Sequence, residues 1–282
     1  MVDTNSSSAD LTNKGEKNDF LIEVNDLNFS YGKDLILEGI NFSVSPNQLV
    51  AVLGTNGAGK STLIKCLNKI HKPASGSVKI TNINLDDMTI SELAKKVAYV
   101  PQTVSTGFPM DVFDVVLLGR RPFINWRVGP YDKEKAVDVI KRLNLEEFIF
   151  RKFHTLSGGE QQRVIIAKAM TQDPVLYLFD EPTSNLDLKG QYEVLEEIKK
   201  MVSHNLQKCS AIVAMHDINL AAKFADKIII LHQNSIYCYS RPYIALNCET
   251  IAHVYGVNAE VSYPGHPKIP FINVLGPIKE EE

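Results

Sequence analysis

From Leu21 onward the chain alternates short apolar runs with amphipathic stretches, and the period of each stretch predicts whether it is strand or helix. LIEV, LNFSY and QLVAVL read as strands, the last apolar enough for burial on both faces of a parallel sheet. A glycine-rich turn follows, and a helix is expected from Lys60 through STLIKCLNKI. SVKI and KVAYV supply further strands, and Thr89 with Glu92 forms a capping box for a helix between them. Between Pro101 and roughly Phe153 the strand signals vanish, while DVFDVVLLG and KEKAVDVIKRL repeat at helical spacing; this predicts an inserted helical subdomain. VLYLF, AIVAM and DKIIIL then return as buried-strand runs, separated by helical segments such as LKGQYEVLEEIKKMV.

Strands alternating with helices imply an α/β fold: a mainly parallel sheet covered on both faces, with ligands at the carboxyl ends of its strands. Residues 1–19 are rich in Ser, Asn, Asp and Lys and read as a disordered tail, because they bury too little apolar surface to offset their own ordering entropy. An acidic tail is expected over 276–282. No internal repeat is visible.

Composition narrows the function classes. A 44% hydrophobic and 22% charged chain of 282 residues is ordinary for a globular protein, and a net charge of −3 gives no basic field for a nucleic-acid partner. Cys66, Cys209, Cys238 and Cys248 are scattered, with no C-x-x-C pair, so neither a disulfide framework nor a structural metal is expected. The polar N-terminus lacks an apolar core and no run approaches about 18 apolar residues, so the reading has neither a secretory signal nor a membrane span. Membrane contact would then go through a partner.

Candidate chemistry begins at the turn. Gly54, Thr55, Asn56, Gly57, Ala58, Gly59, Lys60 and Ser61, followed by Thr62, fit G-x-x-x-x-G-K-[ST] between an apolar strand and a helix. Small residues let backbone N–H groups converge on a phosphate, the helix N-terminus adds positive dipole, Lys60 reaches the β/γ oxygens, and Ser61 can ligate magnesium. Downstream, VLYLF ends in Asp180 and Glu181. Successive strand side chains point oppositely, so Asp180 can face magnesium while Glu181 polarises an attacking water. Taken alone the pair would read as a solvated acidic turn. Behind a phosphate loop it becomes a catalytic candidate.

Leu156-Ser157-Gly158-Gly159-Glu160-Gln161-Gln162 resembles the signature sequence of ABC ATPases; physically it is a capped helix start, with Ser157 and Glu160 as the box and two glycines leaving the tip bare. The resemblance extends in family order over roughly residues 21–275. It implies that Tyr31 stacks on adenine, that Gln102 contacts magnesium and the water, that Asp187 belongs to a loop crossing a dimer interface, and that His216 contacts the γ-phosphate. Without the resemblance, Tyr31 would read as a packing residue and His216 as structural.

The family further implies a P-loop NTPase of the ABC type over 20–275, with an N-terminal antiparallel β subdomain and the helical subdomain at about 103–160. Its substrate is ATP with Mg2+, and it hydrolyses ATP as a head-to-tail homodimer whose Ser157, Gly158, Gly159 and Glu160 face the other copy's nucleotide. LLGRRPFINW, HDINLAAKFAD and VYGVNAEV resemble motors of iron-siderophore, haem and cobalamin importers. Such motors lie at the cytoplasmic face of the cell membrane on two copies of a polytopic permease, indirectly served by a solute-binding protein. Arg120, Arg121 and Trp126 lie where these motors receive the permease; alternatively they are a solvated basic turn and a core tryptophan. A soluble ABC ATPase, as in iron–sulfur assembly, and a motor for molybdate or another metal ion are the competing readings.

Overall fold

Strand β1 (Ile22–Tyr31) pairs antiparallel with β2 (Asp34–Val44), and the chain then enters β3 (Leu49–Leu53) at the centre of a second sheet. The computed structural model describes residues 20–102, 109–184, 186–204, 208–265 and 269–278; the tail expected at 1–19, the first residues of the expected insertion (103–108), Asn185 and the charged end 279–282 lie outside the described residues. Helix α1 (Lys60–Leu67) leaves the glycine-rich turn, and β4 (Ser75–Ile80) and β5 (Ile83–Asn84) complete a four-stranded antiparallel sheet in the order β2-β1-β4-β5. Helix α2 (Ile90–Lys96) opens on the expected Thr89/Glu92 box.

The second sheet has six strands. After β6 (Val97–Val100) come α3 (Val112–Leu117), α4 (Pro130–Arg142) and α5 (Gly158–Gln172), then β7 (Leu176–Asp180), α6 (Leu188–His204), β8 (Ser210–Ala214), α7 (Ile218–Phe224), β9 (Lys227–His232) and β10 (Ser235–Ser240). Their order is β10-β9-β3-β8-β7-β6, parallel throughout except for the antiparallel edge β10. Helices α8 (Pro242–Ala245) and α9 (Cys248–Tyr255) lead to a hairpin of β11 (Val257–Ser262) and β12 (Phe271–Pro277).

The apolar run of β3 is explained by burial on both faces. Leu49, Ala51 and Leu53 join one core cluster with α3 to α7 and α9, whereas Val50 and Val52 join the other with α1 and the antiparallel sheet. Each of the valine and leucine side chains contributes on the order of 1.5–3 kcal/mol by leaving water.

Four local readings are corrected. Helix α1 stops at Leu67 rather than Ile70, because Lys69 takes a left-handed φ of 58° and the backbone N–H groups of Ile70 and His71 turn back to the Lys65 carbonyl. Strand β12 runs to Pro277, past the start of the tail expected at 276. Arg120 is no solvated base: it is 7% exposed, donates to Asp132 Oδ1 (2.9 Å) and the Thr171 carbonyl (3.3 Å), and lies over the Phe123 ring. Trp126 is no core residue, being 96% exposed.

The hairpin packs on the main core through Ile272, Val257, Ala259 and Val261, and one side chain of α7 also bonds its backbone. Asn219 of α7 receives the Ile272 N–H (2.8 Å) and donates to the Ile272 carbonyl (3.1 Å).

Candidate functional site

Parallel register brings β3, β8 and β7 side by side, so their carboxyl ends open onto one surface. The glycine-rich turn leaves β3, Asp180 and Glu181 leave β7, and His216 follows β8. Backbone bonds hold these exits together: Met215 N–H to the Val52 carbonyl (3.1 Å) and Glu181 N–H to the Ala214 carbonyl (3.2 Å).

The turn needs its glycines. Gly54 has φ 146°, and a Cβ there would stand 2.5 Å from the Leu231 carbonyl oxygen; Gly59, at φ 95°, packs against Ile36 and Leu37. Burial pushes the phenol of Tyr255 on α9 up to about 12, with the Gly54 backbone acting in the opposite sense. Nothing in the sequence flagged Tyr255, because its partner lies across the fold.

A cavity of about 490 Å³ gathers Tyr31, Ile36, Asn56, Gly57, Gly59, Lys60, Ser61, Thr62, Gln102, Glu181 and His216. Lys60 Nζ donates to the carbonyls of Gly54 (2.9 Å) and Thr55 (3.0 Å), so in this conformation its charge is held by the loop itself. Burial lowers its pKa from the usual lysine value, and the Glu181 and Asp180 carboxylates partly offset that effect. Ser61 Oγ donates to Asp180 Oδ1 at 2.6 Å. Glu181, at φ 52° and 8% exposed, accepts from Gln102 Nε2 (2.5 Å) and contacts His216 Nε2. Ala58 packs beside the second core cluster.

Tyr31 is half-exposed at the rim, and its hydroxyl bonds to His71 Nε2 at 2.7 Å. Ile36 and His71 were missed by the sequence reading; neither sits in a motif.

Two groups of expected residues lie outside the cavity. Ser157, Gly158, Gly159 and Glu160 form the tip of α5, with the Ser157/Glu160 capping box made in both directions (2.7 and 3.4 Å) and Ser157 and Gly158 exposed. Asp187 is exposed and accepts from the Gly190 N–H (2.8 Å) at the start of α6. Neither group lines the chain's own cradle.

A charged cavity of this kind suits a polyphosphate. N–H groups at a helix start, a buried lysine and a hydroxyl can stabilise phosphate charge, and a carboxylate beside an imidazole can orient a water against it. Oxygen donors at the phosphate end suit magnesium: Ser61 and Asp180 already share a proton-mediated contact.

A family model described as ABC transporter matches residues 37–184. An uncharacterized ABC transporter ATP-binding protein of Methanocaldococcus jannaschii is 46% identical over 241 residues, covering 86% of this chain and 93% of that protein. A hemin import ATP-binding protein of Rhodopseudomonas palustris is 33% identical over 253 residues, covering 86% and 92%. Among solved structures, an ABC transporter assigned to the metal-chelate type, in an inward-facing conformation, superposes with a TM-score of 0.77 at 28% identity, covering 91% of this chain and 97% of that one.

Proposed function

Since the chain belongs to the ABC transporter family and is one of its ATP-hydrolysing, ATP-binding domains, we propose that it drives import of a metal chelate, of the iron-siderophore, haem or cobalamin class. The likeness to a hemin import subunit and to a metal-chelate type transporter supports the cargo class. The observation that carries the motor reading is the cavity itself: cradle, Glu181, Gln102 and His216 converge, while the tip of α5 lies elsewhere.

ATP enters with its triphosphate on residues 54–62 and its base against Tyr31. Lys60 exchanges the loop carbonyls for the β/γ oxygens. The exposed Ser157 and Gly158 and the half-buried Gly159 of a second copy, with Glu160 fixing their helix start, then cap the γ-phosphate, so that two ATP molecules are sandwiched in a head-to-tail homodimer; Asp187 lies at that interface. Glu181 orients the water, His216 holds the γ-phosphate, and cleavage removes the group that both copies share, so the dimer reopens. Ser61, Asp180 and Gln102 would hold Mg2+, which supplies charge neutralisation at the phosphates.

The partner is a polytopic permease in two copies at the cytoplasmic face of the membrane, indirectly served by a solute-binding protein. A groove of about 440 Å³ in the helical subdomain, with Met110, Leu117, Arg121 and the exposed Trp126 on its walls, suits a permease helix. Among the described residues no helix is long and apolar enough to cross a membrane.

Purification of the tagged full chain from detergent-solubilised membranes tests this reading. We expect a polytopic protein to co-purify and ATP hydrolysis to rise when a chelate-loaded binding protein is added. Recovery of the chain without any membrane partner would sink the import assignment.

A further inference from the structure

Tyr31 does not reach the rim of the cavity unsupported. Phe29, two residues earlier on the same face of β1, is 7% exposed and meets the Tyr31 ring edge-on, with centroids 4.9 Å apart and planes at 87°. His71 stacks on Phe29 at 5.1 Å and 22°, stands perpendicular to Tyr31 at 5.4 Å and 88°, and bonds its hydroxyl through Nε2 at 2.7 Å. Three rings therefore form a closed set in which Phe29 is the buried floor and Tyr31 the exposed member.

His71 comes from a different element than Tyr31. It follows the C-terminal turn of α1, where its backbone N–H bonds to the Lys65 carbonyl at 3.2 Å. Helix α1 begins with Lys60 and Ser61. One short helix thus carries phosphate-binding groups at its first turn and, just past its last, the imidazole that holds the aromatic ring.

We infer that His71 is a positioning residue for the nucleotide base: by hydrogen-bonding the Tyr31 hydroxyl it locks that ring in register with the triphosphate cradle. The inference rests on the reading of Tyr31 as the base platform. A half-exposed tyrosine left alone would spread over rotamers, and part of the stacking energy would go to ordering it on binding. Held by His71 and Phe29, the ring is already in place, so the bond appears as ATP affinity rather than turnover.

Losing one such bond is expected to weaken ATP binding about fivefold. Titration calorimetry on the full chain, comparing ATP with inorganic tripolyphosphate, separates this role from support of the helix. His71→Ala keeps the backbone tie to Lys65. It should therefore weaken ATP about fivefold, leave tripolyphosphate unchanged, and leave kcat unchanged while KM rises. Tyr31→Phe should match it, His71→Gln should recover part of the loss, and His71→Ala should add nothing in a Tyr31→Ala background. If Tyr31→Ala weakens ATP but His71→Ala does not, the positioning role is overturned and the base platform stands. Equal loss for tripolyphosphate would reduce His71 to a structural residue. An unchanged ATP affinity in Tyr31→Ala would remove the platform and this inference with it.

Discussion

Replacing Glu181 by Gln isolates the proposed chemistry from the fold. The side chain is 8% exposed and its carboxylate accepts from Gln102 Nε2 and contacts His216 Nε2. A glutamine is isosteric but puts an NH2 where one carboxylate oxygen stood, so the charge-assisted part of those two contacts is lost. That loss costs about 0.5–1.5 kcal/mol, which for a domain of this size lowers Tm by roughly 2–5 °C. The positive φ of 52° is no worse for glutamine than for glutamate. What disappears is the group proposed to polarise water, and positioned general bases contribute about 10²–10⁴ in rate, or roughly 3–5 kcal/mol of barrier. Phosphate release should therefore fall at least a hundredfold while ATP affinity stays within about threefold, the latter because no part of the cradle is altered. Size-exclusion chromatography with ATP should then show a stable dimer, since the shared γ-phosphate is no longer cleaved. Turnover within threefold of the unaltered protein would refute Glu181 as the base. Loss of ATP binding alongside turnover would show that the residue supports the site rather than the reaction.

Other substitutions probe the surrounding parts. Lys60→Ala removes a buried cation from the cradle and should weaken ATP by about ten- to a hundredfold, read by calorimetry. Gly54→Ala drives a Cβ to 2.5 Å from the Leu231 carbonyl at a φ that alanine resists; about 2–3 kcal/mol of stability should be lost in denaturant titration, with ATP affinity falling as the loop shifts. Arg120→Met takes away the guanidinium that pairs with Asp132, whose carboxylate keeps only the Gly129 N–H, and should destabilise by about 1–2 kcal/mol at neutral pH. The Arg120 hydrogen bond holds the Asp132 pKa below its ordinary value, so this stabilisation is present above about pH 4 and is lost as pH falls through the depressed pKa. The gap between variant and unaltered protein should close in acid melts.

Most of the fold and the cradle could be read from the chain because each depends on local spacing. The glycine pattern at 54–61, the all-apolar β3, the apolar run that β7 carries up to Asp180, and the Thr89 and Ser157 boxes are short-range signals, and each lands where the local pattern predicts. Arg120 was opaque for the opposite reason. Its partners are Asp132 and Thr171, so two adjacent arginines gave no hint that one is buried and the other at a groove. Strand β10 and the β11–β12 hairpin escaped notice because they are edge elements without a strong apolar run. His71 is invisible because it acts on Tyr31 across a long sequence separation.

The Asn219 clamp on Ile272 touches only main-chain atoms. An amide that reads a peptide group is indifferent to the side chain attached to it, so any residue but proline keeps this link, although the Ile272 side chain itself is buried in the core. A deletion or insertion of one residue within β12 beyond Ile272 is another matter: with that peptide held by the amide, it turns every later β12 side chain to the opposite face. Ile272 is therefore read twice, by its side chain in the core and by its peptide at α7, the helix that begins just after His216.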